Sequence, residues 1–159
     1  MAENKKIKNA TPYEYNGIQF KSLLEVMVYK TLLQEGLEPK YEANTYILWK
    51  GFRPTVPFYT RNKKKQHVLN LKKLIDIKLT PDFYLEYKGV KVIIEAKGME
   101  NDVFPYKLKL LREYLEKQPD KDRYLLFEIF TKKQLLEAIT IIKDYGNSRE
   151  DKGASTSSA

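Results

Sequence analysis

The sequence predicts a mixed α+β fold, with a central mixed β-sheet flanked by helices, and three observations carry that prediction. Apolar residues recur at helical spacing in residues 22–36 and again in 131–143, near the two ends of the chain. Between them, TPDFYLEYKGVKVIIEAKG, residues 80–98, reads as two strands joined at Lys88-Gly89. The whole order is helix, several strands, helix, strand, helix, and a sheet made from it must bury its faces under those helices.

Taken in order, residues 1–12 are polar and basic and read as a flexible N-terminal arm. Residues 13–145 then read as one domain, and 146–159 as a disordered polar tail. The first helix, SLLEVMVYKTLLQEG, places Leu23, Leu24, Met27, Val28 and Leu32 at helical spacing, with Ser22 as cap and Gly36 at the exit. TYILWK is a strand, and VPFYT and VLNLKKLIDIKLT supply strands on either side of a basic loop. VFPYKLKLLREYLEK is a second helix, with Pro105 tolerated only in its first turn. RYLLFEIF reads as a strand buried on both faces. TKKQLLEAITIIK is a third helix opened by a Thr131/Gln134 capping box.

Composition narrows the function classes. With 42% apolar and 31% charged residues the chain is globular in character, and no apolar run approaches the ~18 residues of a membrane span. The N-terminus lacks the hydrophobic stretch of a secretory signal, and the absence of cysteine removes disulfides and thiolate zinc sites. The expectation is a cytoplasmic protein with no membrane partner. No Gly-rich run precedes a Lys-Ser/Thr pair, so no nucleotide cofactor is expected, and His67 is the lone histidine. The net charge of +8 favours an anionic partner such as nucleic acid. RNKKKQHVLNLKK holds Arg61, Lys63, Lys64, Lys65, Lys72 and Lys73 without an acid; a solvated loop and a phosphate-binding loop both fit that run. Phe58, Tyr59, Tyr84 and Tyr87 read as core or strand-pair residues rather than base-stacking ones.

The hairpin carries the chemistry. A two-residue turn at Lys88-Gly89 pairs residues whose numbers sum to 177, so Asp82 faces Glu95, and Lys97 projects from the same face. Facing Cβ atoms lie about 4.5–5.5 Å apart. Two carboxylates at ~5 Å repel by roughly 3 kcal/mol at an effective dielectric of ~20. A divalent cation between them removes that cost, and hard oxygens suit Mg²⁺ or Mn²⁺. A solvated hairpin end with Lys97 paired to one acid is the alternative. Glu25, in the first turn of the first helix, forms an S-x-x-E capping box with Ser22.

The ordered set Glu25, Pro81-Asp82 and Glu95-Ala96-Lys97 resembles the PD-(D/E)XK nuclease signature. It is most similar to small phage- and prophage-encoded endonucleases, which show a G-x-x-F-x-S-x-x-E helix start (Gly17 to Glu25), a T-P-D-F strand (Thr80 to Phe83) and an E-x-K-G strand (Glu95 to Gly98). A following basic helix matches from Tyr106, and the resemblance covers roughly residues 13 to 130. It implies a restriction-endonuclease-like core and metal-dependent hydrolysis of DNA phosphodiester bonds in replication, recombination or processing. A phage-encoded enzyme of that kind acts in the host cytoplasm. The resemblance further implies Asp82, Glu95 and the Ala96 carbonyl as ligands of Mg²⁺ or Mn²⁺. Glu25 would act through water or at a second ion, and Lys97 on the attacking water. Arg61, Lys63, Lys64 and Lys65 would then clamp phosphates together with Lys107 and Lys109. Cutting both strands of a duplex needs two active sites, which suits a homodimer. A non-catalytic nucleic-acid-binding module retaining the nuclease fold is the competing expectation. The stretch from Phe52 to Lys73 matches no pattern of the family.

Overall fold

The computed structural model describes residues 13–98 and 101–157; the expected basic arm, 1–12, lies outside them. In chain order the elements are β1 (Glu14–Tyr15), β2 (Ile18–Gln19), α1 (Leu23–Gln34), β3 (Lys40–Tyr41), β4 (Tyr46–Trp49), β5 (Tyr59–Arg61), β6 (His67–Leu69) and β7 (Ile77–Leu79). There follow β8 (Phe83–Tyr87), β9 (Val90–Ala96), α2 (Phe104–Glu116), a 3₁₀ turn (Lys121–Arg123), β10 (Tyr124–Ile129) and α3 (Lys132–Ser157).

The central sheet has the order β10-β9-β8-β3 and is mixed: β9 runs parallel to β10, while β8 is antiparallel to β9 and to β3. The hairpin keeps the expected register from Tyr87 opposite Val90 to Phe83 opposite Ile94. Its turn takes positive φ at both Lys88 (48°) and Gly89 (82°), the type I′ geometry that matches strand twist. Strand alternation then assigns the two faces. Val92 and Ile94 of β9 join Phe83 and Leu85 of β8 in a core under α1 and α3. Ile93 points the other way, into a second core with Leu111 and Leu115 of α2 and Tyr46 of β4.

Three elements depart from the sequence reading. In α1, Ser22 caps the start and Gly36 and Leu37 donate back to Leu33 and Leu32 at the exit, a Schellman ending. Its buried side is rotated, however: Leu23 is 59% exposed while Glu25 is buried. β10 is a sheet edge and therefore only half-buried except at Ile129, not covered on both faces. Residues 146–157, expected as a disordered tail, continue α3, because the β8–β9 turn holds them. Asn147 Oδ1 accepts from Tyr87 (3.2 Å) and Lys88 (2.9 Å), and Lys88 also pairs with Glu150 at 2.6 Å. Gly146 lies so close to the Tyr87 ring that a Cβ there would meet it at 2.6 Å.

The unassigned middle is one long irregular ribbon. β4 pairs with β7, Gly51 N donates to Asp76 Oδ1, Leu74 N to the Phe52 carbonyl and Asn70 N to the Phe58 carbonyl, and β5 pairs with β6. The chain thus climbs from Tyr46, turns at Lys63–Lys65 and returns to Leu79. Asn62 Oδ1 shapes the turn by accepting from Lys64 N (3.0 Å) and Gln66 N (2.9 Å). Phe58 and Tyr59 are not core residues: both stand more than half exposed on this ribbon. Among the described residues no helix is long and apolar enough to cross a membrane.

Candidate active site

The site forms at the open end of the β8–β9 hairpin, with the first turn of α1 close enough for Glu25 to act on Asp82. Asp82 and Glu95 do face each other, and the backbone locks them reciprocally. Ala96 N donates to Asp82 Oδ2 (2.8 Å), and Asp82 N donates to Glu95 Oε2 (3.3 Å). The Lys97 ammonium stands 3.8 Å from Glu95 Oε1 on the face that Ile93 shares. Lys97 N continues the parallel ladder by donating to the Ile129 carbonyl, which fixes the backbone of the E-A-K segment.

All four acidic and basic side chains are shielded: Glu25, Asp82 and Lys97 are buried and Glu95 nearly so. Burial pushes the Asp82 carboxyl up to about 6; the Ala96 hydrogen bond opposes the shift and Glu25 adds to it. Burial pushes Glu95 up to about 7, helped by the charge of Asp82. Near neutrality the pair therefore holds roughly one proton that two separated carboxylates would have released.

Glu25 is held apart by partners of its own. Its N–H takes the Ser22 cap (3.1 Å), but its Oε1 accepts from Lys21 N (3.3 Å), one residue beyond the reciprocal partner of a full capping box. The same oxygen accepts from the Tyr41 hydroxyl at 2.6 Å. Burial and the Glu25 hydrogen bond keep that hydroxyl protonated far above the ordinary tyrosine range. Tyr41 is set by β3 pairing with Phe83 and by edge contact with the Phe20 ring at 4.7 Å. Lys97 has a second partner too: the Phe104 ring at the start of α2, 3.2 Å from ammonium to centroid. Neither Tyr41 nor Phe104 was singled out from sequence. Tyr41 carries no local signal; Phe104 is an apolar residue just before the helix-opening Pro105.

The donors here are all oxygens, which suits a hard cation over zinc or copper. Among the described residues no three His, Cys, Asp or Glu side chains are grouped closely enough to ligate one ion, in keeping with the separate engagement of Glu25. Of the expected phosphate clamps, Arg61 and Lys63–Lys65 occupy the ribbon tip, at and beside the turn between β5 and β6. Lys107 is half-buried and lines a cleft of about 590 Å³ with Lys73, Ile75, Asp76 and Lys78, whereas Lys109 is exposed on α2.

The chain matches no protein-family model, no curated protein and no solved structure at a significant level.

Proposed function

We propose that the chain is a metal-dependent endonuclease that hydrolyses DNA phosphodiester bonds, of the phage type used in replication, recombination or processing, on a restriction-endonuclease-like core. The observation that carries this reading is the backbone-locked pair Asp82 and Glu95, buried, both with raised proton affinity, and with Lys97 at 3.8 Å. A purely structural hairpin gains nothing from two buried acids that repel each other.

Asp82 and Glu95, with the Ala96 carbonyl, are the groups that would hold Mg²⁺ or Mn²⁺. Bound there, such an ion would supply Lewis acidity for phosphodiester hydrolysis. Lys97, held between Glu95 and the Phe104 ring, would orient the attacking water and offset charge growing on the phosphorus oxygens. Tyr41 and Lys21 N hold the Glu25 carboxylate, whose charge raises the proton affinity of Asp82, and from there it would act through water or at a second ion. Lys73, Lys78 and Lys107 present cations along the cleft on the α2 side, where a phosphate backbone can lie.

The test is cleavage of plasmid, linear duplex, single-stranded and junction DNA and of RNA, with Mg²⁺, Mn²⁺ or EDTA, beside Asp82→Ala. Cutting that needs metal and vanishes in Asp82→Ala supports the nuclease. Binding without cutting under every metal condition replaces it by the non-catalytic nucleic-acid-binding module.

A further inference from the structure

Not one side chain of residues 47–80 is buried, although these 34 positions are a fifth of the chain. They carry 12 of the 20 exposed large apolar side chains found among the described residues. They also hold nine Lys and Arg against the single acid Asp76, a balance of +8 that equals the charge of the entire chain; the remainder has 20 bases and 20 acids. Only Leu48 and Leu79, partly buried at the ribbon's base, pack against the second core; ordering the rest without a core is costly, and a two-stranded ribbon alone is marginal in water. Apolar rings and cations on one projecting element fit a partner that is both anionic and flat-faced.

We propose that this ribbon is a platform for single-stranded DNA, on which unpaired bases stack against Trp49, Phe52, Phe58 and Tyr59 while the lysines hold the phosphates. The proposal deepens the nuclease reading and rests on it, since it names the unpaired stretch as part of the substrate. Four aromatic side chains are 36–59% exposed along one strand of the ribbon, and Trp49 and Phe52 form an edge-on pair at 5.8 Å. A sequence-tolerant single-strand surface is made of such rings interleaved with basic side chains. A paired duplex hides its base faces and uses only the cations.

Competing occupants fit less well. A second copy brings another +8 against the first, and like charges at a shared face repel. A lipid surface covers one side only, whereas Phe58 and Tyr59, like Val68 and Leu69, are successive residues that are both exposed, an arrangement that a flexible single strand can follow across both faces. The ribbon also leads to the acids. Lys78 precedes Asp82 by four residues, at most about 14 Å of extended chain. Lys73 and Lys78 share their cleft with Lys107, one helical turn beyond the Phe104 ring that holds Lys97.

Trp49 is the sole tryptophan, so its emission reports the platform directly. The experiment titrates the full chain, in EDTA, with an oligothymidylate and with a hairpin duplex of equal nucleotide count. We expect the single strand to quench Trp49 and to bind more tightly than the duplex, with Phe58→Ala and Tyr59→Ala each weakening single-strand binding about tenfold. Duplex binding should be unchanged in both variants. Equal binding of the two DNAs with unaltered Trp49 emission overturns the proposal. So does self-association that the variants abolish while DNA binding is unaffected. Because EDTA prevents cutting, tight single-strand binding without any cleavage in Mg²⁺ keeps this inference and sinks the nuclease reading; cleavage without single-strand preference does the reverse.

Discussion

The Lys97 ammonium lies 3.2 Å from the centre of the Phe104 ring, so the first residue of α2 packs on the only buried lysine or arginine among the described residues. A cation on a shielded aromatic face gains about 2 kcal/mol from the ring quadrupole. Without the ring the long lysine stem regains rotamers that point away from Glu95. Phe104→Leu keeps an apolar volume at the helix start but loses the quadrupole. The expected outcome is a kcat for DNA cleavage lower by about tenfold with little change in KM, since the proposed role of Lys97 is on the reacting centre rather than in binding. Steady-state kinetics with a defined oligonucleotide decides it, and a change confined to KM would refute the role.

The acid pair gives a pH dependence with a definite sign. Asp82 and Glu95 titrate near 3.8 and 4.5 when unfolded but near 6 and 7 in the folded chain. Between those limits the folded state binds more protons than the unfolded one, so stability falls as pH rises from about 4 to about 7. Asp82→Asn keeps an acceptor for Ala96 N and removes one charge of the pair. In EDTA at pH 8 it should be more stable than the parent by about 2 kcal/mol, or about 4–8 °C in Tm, and indistinguishable from it at pH 4. Thermal denaturation across that range checks it. Adding Mg²⁺ at pH 8 should raise the Tm of the parent and leave Asp82→Asn where it was.

Much of this site was legible because the hairpin rule is local. Positive φ at Lys88-Gly89 sets the register, and register alone brings Asp82 opposite Glu95. The cap at Ser22 and the Thr131/Gln134 box were readable for the same reason: each depends on residues within four positions. What sequence concealed depends on distant contacts. Tyr41 meets Glu25 only because β3 adds to the sheet beside β8. α3 outruns its expected end because Lys88, 62 residues upstream, holds Glu150. The ribbon was unreadable because, beyond Tyr46, Leu48 and Leu79 at its base, its strands pack against no core, so no face imposes an apolar alternation; its register drifts, and side chains from both faces stay exposed.

The Tyr41 hydroxyl bond to Glu25, at 2.6 Å, joins β3 to the start of α1 across a shielded boundary. A hydrogen bond to a charged acceptor is worth about 1.5–3 kcal/mol. Tyr41→Phe preserves the ring contacts with Phe20 and Phe83 and removes only the donor. Stability should drop by about 2 kcal/mol, measured as a shift of the urea midpoint at constant slope. Glu25→Gln in the same background should add little further loss, because the two side chains share one interaction.

Gly51 separates the ribbon from the core experimentally. Any Cβ there would overlap the Leu74 carbonyl oxygen, and Ile75 stands just behind it, so backbone rather than a flexible side chain must move. Gly51→Ala should break the Gly51–Asp76 and Phe52–Leu74 bonds while sparing the cores under α1, α2 and α3, against which only Leu48 and Leu79 of residues 47–80 pack, on the core side of Gly51 and Asp76. We expect a Tm within about 3 °C of the parent, for about 1 kcal/mol lost at most. Proteolysis should become rapid between residues 51 and 75. A cooperative collapse of the whole chain would show that the ribbon is part of the core after all.

The lysine tip makes the last prediction, and salt is its measure. Lys63, Lys64 and Lys65 are exposed at a turn shaped by Asn62, so their replacement by Ser leaves the turn bonds to Asn62 Oδ1, which come from backbone N–H groups. Each phosphate contact releases a counterion and adds about 0.7 to the slope of log K against log salt for a single strand, or about 0.9 for a duplex. The triple Ser variant should therefore flatten the slope by about 2–3, and lose affinity by a factor that shrinks as salt rises. Fluorescence anisotropy over a salt series reads this directly. An unchanged slope with lower affinity would mean that the tip lysines shape the ribbon without touching phosphate, and that Lys73, Lys78 and Lys107 along the cleft carry the electrostatic contact instead.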